Sequence, residues 1–302
     1  MVQCKFCSGN NLVKKGFRKL KDGKKQVYYC CNCHRKFTPD VSTKNHSPRL
    51  VLDAVAWYNQ GNSFRKVAGL IENKYRVKIS QSSIHSWVKE LDMGISNSAA
   101  FKKGVTEKVF KHSAMAFRYK LHNGKLKFVK MNNLQGFLAG LCKGVDTKYL
   151  HGTRCSKLDL KVSVNVKRFK SKLNQFVGEV LKGVKHNDTR HGIVEDYMLN
   201  CDRDTVAVEV PVWCFDRNLG NLFGHIDVVQ IKFGNVRIMD YKPNAAKENV
   251  DKVVSQLYGY ALALSFRAGL PMSKIRCAWF DENDCFEFDA DKVQVSDKFL
   301  KF

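Results

Sequence analysis

Three stretches near the front of the chain repeat apolar residues at a helical period. Residues 48–61 (PRLVLDAVAWYNQG) open on proline and stop at glycine. Residues 63–75 (SFRKVAGLIENKY) open on Ser63, a good N-cap, and put Val67, Ala68 and Ile71 on one face. Residues 80–91 (SQSSIHSWVKEL) place Ile84, Trp87, Val88 and Leu91 at the i, i+3, i+4, i+7 spacing of a buried stripe. Elsewhere the period shortens to two. Residues 117–128 read as a hairpin around Asn123-Gly124, and residues 222–244 as two strands joined at Gly234-Asn235. Residues 157–183 alternate and then turn helical, and residues 248–269 read as one long helix.

Cysteine placement adds a module ahead of the helices. Of 11 cysteines, five crowd into the first 33 residues. Cys4 and Cys7 form one C-x-x-C knuckle, Cys30 and Cys33 a second, and two strand-like runs around KDGKK lie between them. Two residues between ligands let one tight turn present both thiolates to a tetrahedral Zn²⁺. A unit of 40 residues is too small to hold itself without such a staple, so the metal is structural. Cys31 and His34 flank the second knuckle and could replace a neighbour. Cys142, Cys155, Cys201, Cys214, Cys277 and Cys285 are scattered and read as small buried hydrophobes.

Charge then points to a partner. The net charge is +24 over 302 residues. Residues 191–302 carry 13 Lys and Arg against 17 Asp and Glu, which leaves 39 against 11 in residues 1–190. A uniform compositional bias would tint both ends alike. An excess confined to the front suits a polyphosphate partner. The third helical stretch shows Gln81, Ser82, His85, Ser86 and Lys89 on its polar face, the short donors and acceptors a recognition helix offers to base edges and phosphates. A C-x-x-C ribbon followed by NSFRKVAGLI and ISQSSIHSWVKEL resembles the DNA-binding front of insertion-sequence transposases over about residues 1–92. No transposase-type acid triad follows it.

The candidate chemistry lies in the last third. Asp227 follows Gly224 on the first strand of the 222–244 pair, and Asp240 and Lys242 lie two apart on the second, so they share a face. Two carboxylates and a lysine there suit phosphodiester hydrolysis, and oxygen ligands favour Mg²⁺ or Mn²⁺. Gln256 and Tyr260 sit four apart on the following helix, where packing alone would also explain them. Gly-x-x-Asp, Asp-x-Lys and Gln-x-x-x-Tyr in this order resemble the RecB-like branch of the PD-(D/E)XK nuclease superfamily over about residues 186–265.

The resemblance implies that Asp227 and Asp240 are metal ligands, that Tyr241 lends a main-chain carbonyl, and that Lys242 is the catalytic lysine. It makes Gln256 and Tyr260 the trailing helix motif. It also implies an upstream acid or histidine on a helix. Glu195 ranks first and His191, four residues earlier, second; Glu209 is a third candidate, on a strand. Some relatives carry an iron–sulfur cluster, but Cys277 and Cys285 lack the closely spaced trio, so none is expected.

The expected fold is multidomain α+β: a zinc ribbon (1–40), a helix-turn-helix domain (48–92), an unassigned basic region (93–185), and a restriction-endonuclease-like α/β core with a mixed sheet flanked by helices (186–302). The expected function is a Mg²⁺-dependent deoxyribonuclease directed by its own DNA-binding front, in a mobile element, a virus or a repair system. The alternative is a sequence-specific DNA-binding regulator with an inactive nuclease-like domain. Expected partners are double- or single-stranded DNA, with no membrane; a homo-oligomer is compatible with this reading. Without an apolar leader or spanning run, the expected location is the cytoplasm, at the nucleoid, or the host cytoplasm if viral.

Overall fold

The computed structural model describes residues 2–4, 9–20, 23–38, 46–59, 62–90, 104–112, 115–181, 184 and 189–296. The chain divides into two compact units, Met1–Ser47 and Pro48–Phe302.

In the first unit, β1 (Leu12–Leu20) pairs antiparallel with β2 (Gly23–Cys30), and β3 (Lys36–Phe37) pairs with β2. The register slips between Lys14 and Phe17, where Gly16 takes a left-handed φ of 78°. The unit's small core holds Cys4, Cys30 and Phe37, with Leu12, Tyr28 and Cys33 against it. This is little apolar surface for a unit of this size.

The second unit begins with α1 (Pro48–Asn59), α2 (Phe64–Tyr75) and α3 (Gln81–Glu90). Ser63 caps α2 by accepting from Lys66 N, and Ser80 Oγ accepts from Ser83 N at the start of α3. Leu91 lies outside the described residues.

Next come β4 (Val105–His112), β5 (Met115–His122), α4 (Asn123–Leu126), α5 (Asn132–Leu141), β6 (Thr153–Arg154), β7 (Val162–Ser163), β8 (Lys167–Phe169) and α6 (Lys172–Leu181). The remainder is α7 (Arg190–Cys201), β9 (Thr205–Asp216), β10 (Gly220–Lys232), β11 (Asn235–Tyr241), α8 (Val250–Ala268), β12 (Ile275–Phe280), β13 (Cys285–Asp289) and β14 (Gln294–Val295).

The main sheet runs β4-β5-β9-β10-β11-β12-β13-β8, with β6 added beside β10; β14 and β7 form a separate pair. The sheet is mixed: β11 and β12 are parallel, as are β10 and β6, and the other pairs are antiparallel. One core buries Val210, Val212, Ile226 and Ile238 with Leu257, Ala261 and Leu264 of α8. The other joins Ile71, Ile84 and Trp87 to Val194 and Met198 of α7 and to Met239 and Phe280. An α+β architecture with a large mixed sheet is therefore present. No helix among the described residues is long and apolar enough to cross a membrane.

Helices α1–α3, the middle strands and the C-terminal sheet share the second compact unit. Two expectations need correction. Asn123-Gly124 does not turn a hairpin. Those residues begin the short helix α4, and β5 pairs back with β4 instead. Burial of Lys125 and Leu126 overrides the local turn preference. The turn between β10 and β11 falls at Phe233-Gly234, one residue early. Both residues there have positive φ, 49° and 72°, as a two-residue primed turn requires.

Candidate active site

Helix α7 is anchored at several points along its length. The buried Lys125 ammonium donates to the carbonyls of Leu199, Asp202 (2.6 Å) and Thr205 (3.0 Å), fixing the C-terminal end. Lys120 of β5 pairs with Asp196, and Tyr197 donates to Asp53 of α1 at 2.5 Å. So held, α7 presents His191 and Glu195 one turn apart on one face.

The β10–β11 hairpin supplies the acids. Val228 faces Met239 in the register, which sets Asp227 across from Asp240. Asp227 Oδ2 accepts from Tyr241 N at 3.1 Å and lies 3.4 Å from His191 Nδ1. Asp240 Oδ2 lies 2.7 Å from Lys242 Nζ, which also donates to Gln256 Oε1 at 3.3 Å. Gln256 Nε2 in turn approaches the Tyr260 hydroxyl at 3.2 Å. Strand alternation sends Tyr241 the other way, where its buried ring packs edge-on against His191 and Phe280. Gly224 sits beneath Tyr260: a Cβ there would meet Tyr260 Cε1 at 2.4 Å. The glycine is needed for close approach, not for its φ.

Electrostatics set the protonation. Burial, then Asp227, pushes Glu195 up to about 10. Burial and Asp227 push Glu209 up to about 7. Burial and Asp227 also raise Asp240 well above the usual carboxylate range. Asp227 moves the other way: burial opposes ionisation, but contacts from His191 and Asp240 and the charge of Lys242 hold it low. Lys242 is raised despite burial, because Asp240 outweighs the desolvation. Four acids thus share one small volume while Lys242 stays charged. Glu209 is held in β9 with a positive φ of 50°, a strained geometry for a non-glycine residue.

The donor set has the chemistry of a divalent-cation site. One donor atom each from His191, Glu195 and Asp227 lies within 4.8 Å of the others. Glu195 Oε1 is buried with no hydrogen-bond partner among the described residues, and burying such an atom is costly. The residues fit a cation. Asp240, expected as a ligand alongside Asp227, stands beside this cluster and engages Lys242.

The structure gathers His191, Glu195, Glu209, Asp227, Asp240, Lys242, Gln256 and Tyr260 around one end of the hairpin. It adds Lys120, whose charge acts on both Glu195 and Glu209 and which carried no sequence signal. In the first unit, Cys4, Cys30 and Cys33 converge, with Cys4 and Cys33 sulfurs 3.6 Å apart; Cys7 lies outside the described residues. His34 shares a 3.0 Å hydrogen bond with the Tyr29 hydroxyl. On α3, Gln81, Ser82, His85, Ser86 and Lys89 are all exposed, while Ile84 and Trp87 are buried. No protein-family model, curated protein or solved structure matches the chain.

Proposed function

We propose that this chain is a metal-dependent DNA nuclease of the PD-(D/E)XK type, with a zinc ribbon and a helix-turn-helix that bind its substrate. One observation carries the reading. A His191–Glu195–Asp227 donor cluster stands next to an Asp240–Lys242–Gln256 chain, with an orphaned carboxylate oxygen in the cluster.

His191, Glu195 and Asp227 would hold Mg²⁺ or Mn²⁺, with the Tyr241 carbonyl and Asp240 completing the set. When bound, such a cation supplies charge against the scissile phosphate and lowers the pKa of water. Lys242 lies 2.7 Å from Asp240 and donates to Gln256, so it is placed to act as a donor to the attacking water or to a phosphate oxygen. Tyr260 steadies Gln256 from the next turn of α8. Glu195 would serve as a ligand in its ionised form, so cation binding would be coupled to loss of its proton. In the ribbon, Cys4, Cys30 and Cys33 with Cys7 would hold structural Zn²⁺. The polar face of α3, with Gln81, Ser82, His85, Ser86 and Lys89, would read DNA.

The test is cleavage of plasmid and single-stranded DNA in Mg²⁺, comparing wild type with Asp240→Asn. Wild type should cut in Mg²⁺ and not in Ca²⁺, and the variant should lose about 100-fold or more. Equal cutting by both proteins would refute the site.

A further inference from the structure

A second cluster of chemistry lies away from the carboxylates. Trp213 of β9 stacks with Tyr149, ring centroids 5.8 Å apart and planes 20° apart. The Arg267 guanidinium of α8 lies 4.9 Å from the Trp213 ring and 4.9 Å from that of Phe266. Phe137 closes the inner side of Trp213 at 6.2 Å. The outer members are open to solvent: Tyr149 is 48% exposed, Phe266 61%, and Phe215, two residues beyond Trp213 on β9, 64%. Most large aromatic side chains bury themselves, so exposed Phe266 against the Arg267 guanidinium and exposed Tyr149 stacked on Trp213 form an unusual surface.

Arg267 makes no ion pair among those of the described residues, and its buried Nε has no hydrogen-bond partner among them. Two rings, and no acid, hold the guanidinium in place. Its charge is therefore left for an anion from outside. Flat rings for bases beside an uncompensated guanidinium for a phosphate are the two elements of sequence-tolerant single-strand binding.

We infer that Tyr149, Trp213, Arg267 and Phe266 form a stacking platform for single-stranded DNA. Charge complementarity selects this occupant over an apolar protein surface, which would leave Arg267 desolvated and unpaired. Arg267 is seven residues beyond Tyr260 on α8, two helical turns or about 10 Å along the axis. The platform thus suits a strand leading toward the candidate active site. That guiding role rests on the nuclease reading; the binding surface itself does not.

The test uses the full chain in Ca²⁺ with a labelled oligothymidylate, read by fluorescence anisotropy. Phe266→Ala and Tyr149→Ala change exposed rings, so both should melt like wild type, and Phe266→Ala alone suffices if the other fails to fold. Each should weaken single-strand binding about tenfold. Binding to a blunt duplex and Mg²⁺-dependent hydrolysis of bis(4-nitrophenyl) phosphate, too small to reach the platform, should not change. Unaltered oligonucleotide affinity, or an equal loss on duplex, would overturn the proposal. Should wild type fail to hydrolyse the small ester while the rings still govern single-strand binding, the platform stands and the nuclease reading falls.

Discussion

A methyl group at position 224 would lie 2.4 Å from Tyr260 Cε1, closer than any side chain tolerates. Tyr260 would have to tilt, and its contact with Gln256 and so with Lys242 would loosen. Gly224→Ala should therefore cut turnover more than it raises KM; unchanged kcat would contradict the Tyr260–Gln256–Lys242 chain. The crowded acids predict a pH effect. The folded pKa of Glu209 is raised to about 7 and that of Glu195 to about 10, against 4.5 for the ordinary side chain. Between those limits the folded protein binds more protons than the unfolded chain, so stability falls as pH rises. Without added divalent cation, Tm should drop by several degrees from pH 5 to pH 8. Glu195→Gln should flatten that slope, and Mg²⁺ should offset it. A Tm that climbs over this range would contradict the assignment. At this scale the sequence was informative where spacing reports geometry. Asp240 and Lys242 share a face because strands alternate, and His191 and Glu195 because four residues make one helical turn. Lys120 was illegible, since only the pairing of β5 with β9 brings it to the acids.

Among elements, Asp53 ties three helices together. Its carboxylate accepts from Lys74 at 2.5 Å, from Tyr75, and from Tyr197 of α7 at 2.5 Å. Burial works against ionisation here, but Lys74 and the two hydroxyls win and hold the pKa below its usual value. This stability is present above the ordinary pKa of 3.8 and is lost as pH falls through the depressed value. Asp53→Ala should cost about 1–3 kcal/mol in urea unfolding at pH 7, because two half-buried hydroxyls lose their acceptor. A cost under about 0.5 kcal/mol would show that the three contacts are incidental. The β10–β11 hairpin and α8 were legible because period and caps agree: Asn249 caps α8 at one end, and Gly269, with φ 59°, ends it. Residues 123–126 were not legible. An Asn-Gly pair states a local preference, whereas the Lys125 ammonium answers to carbonyls more than 70 positions away. Strands β12 and β13 were likewise not marked out in advance, although the parallel β11–β12 pair seats Lys242, whose N–H donates to Phe280 O at 3.0 Å.

Across the whole molecule the charge is divided: Glu195, Glu209, Asp227 and Asp240 of the last third gather at one site, and the basic excess lies in residues 1–190. Under the proposed function, that asymmetry predicts strongly salt-dependent binding of DNA. The packing between elements was not legible in the sequence: α1–α3 bury Ile71, Ile84 and Trp87 in the same core as α7 and the sheet. Periodicity reports which face of a helix is apolar; it does not report what covers that face. The most direct measurement is single-turnover cleavage of labelled DNA in Mg²⁺ by wild type and Lys242→Ala, with DNA binding measured in parallel in Ca²⁺. Cleavage by the variant should fall 100-fold or more, on the order expected for one lost transition-state donor, while binding stays within about twofold. Equal cleavage rates would show that the phosphodiester bond is broken somewhere other than beside Asp227, Asp240 and Lys242.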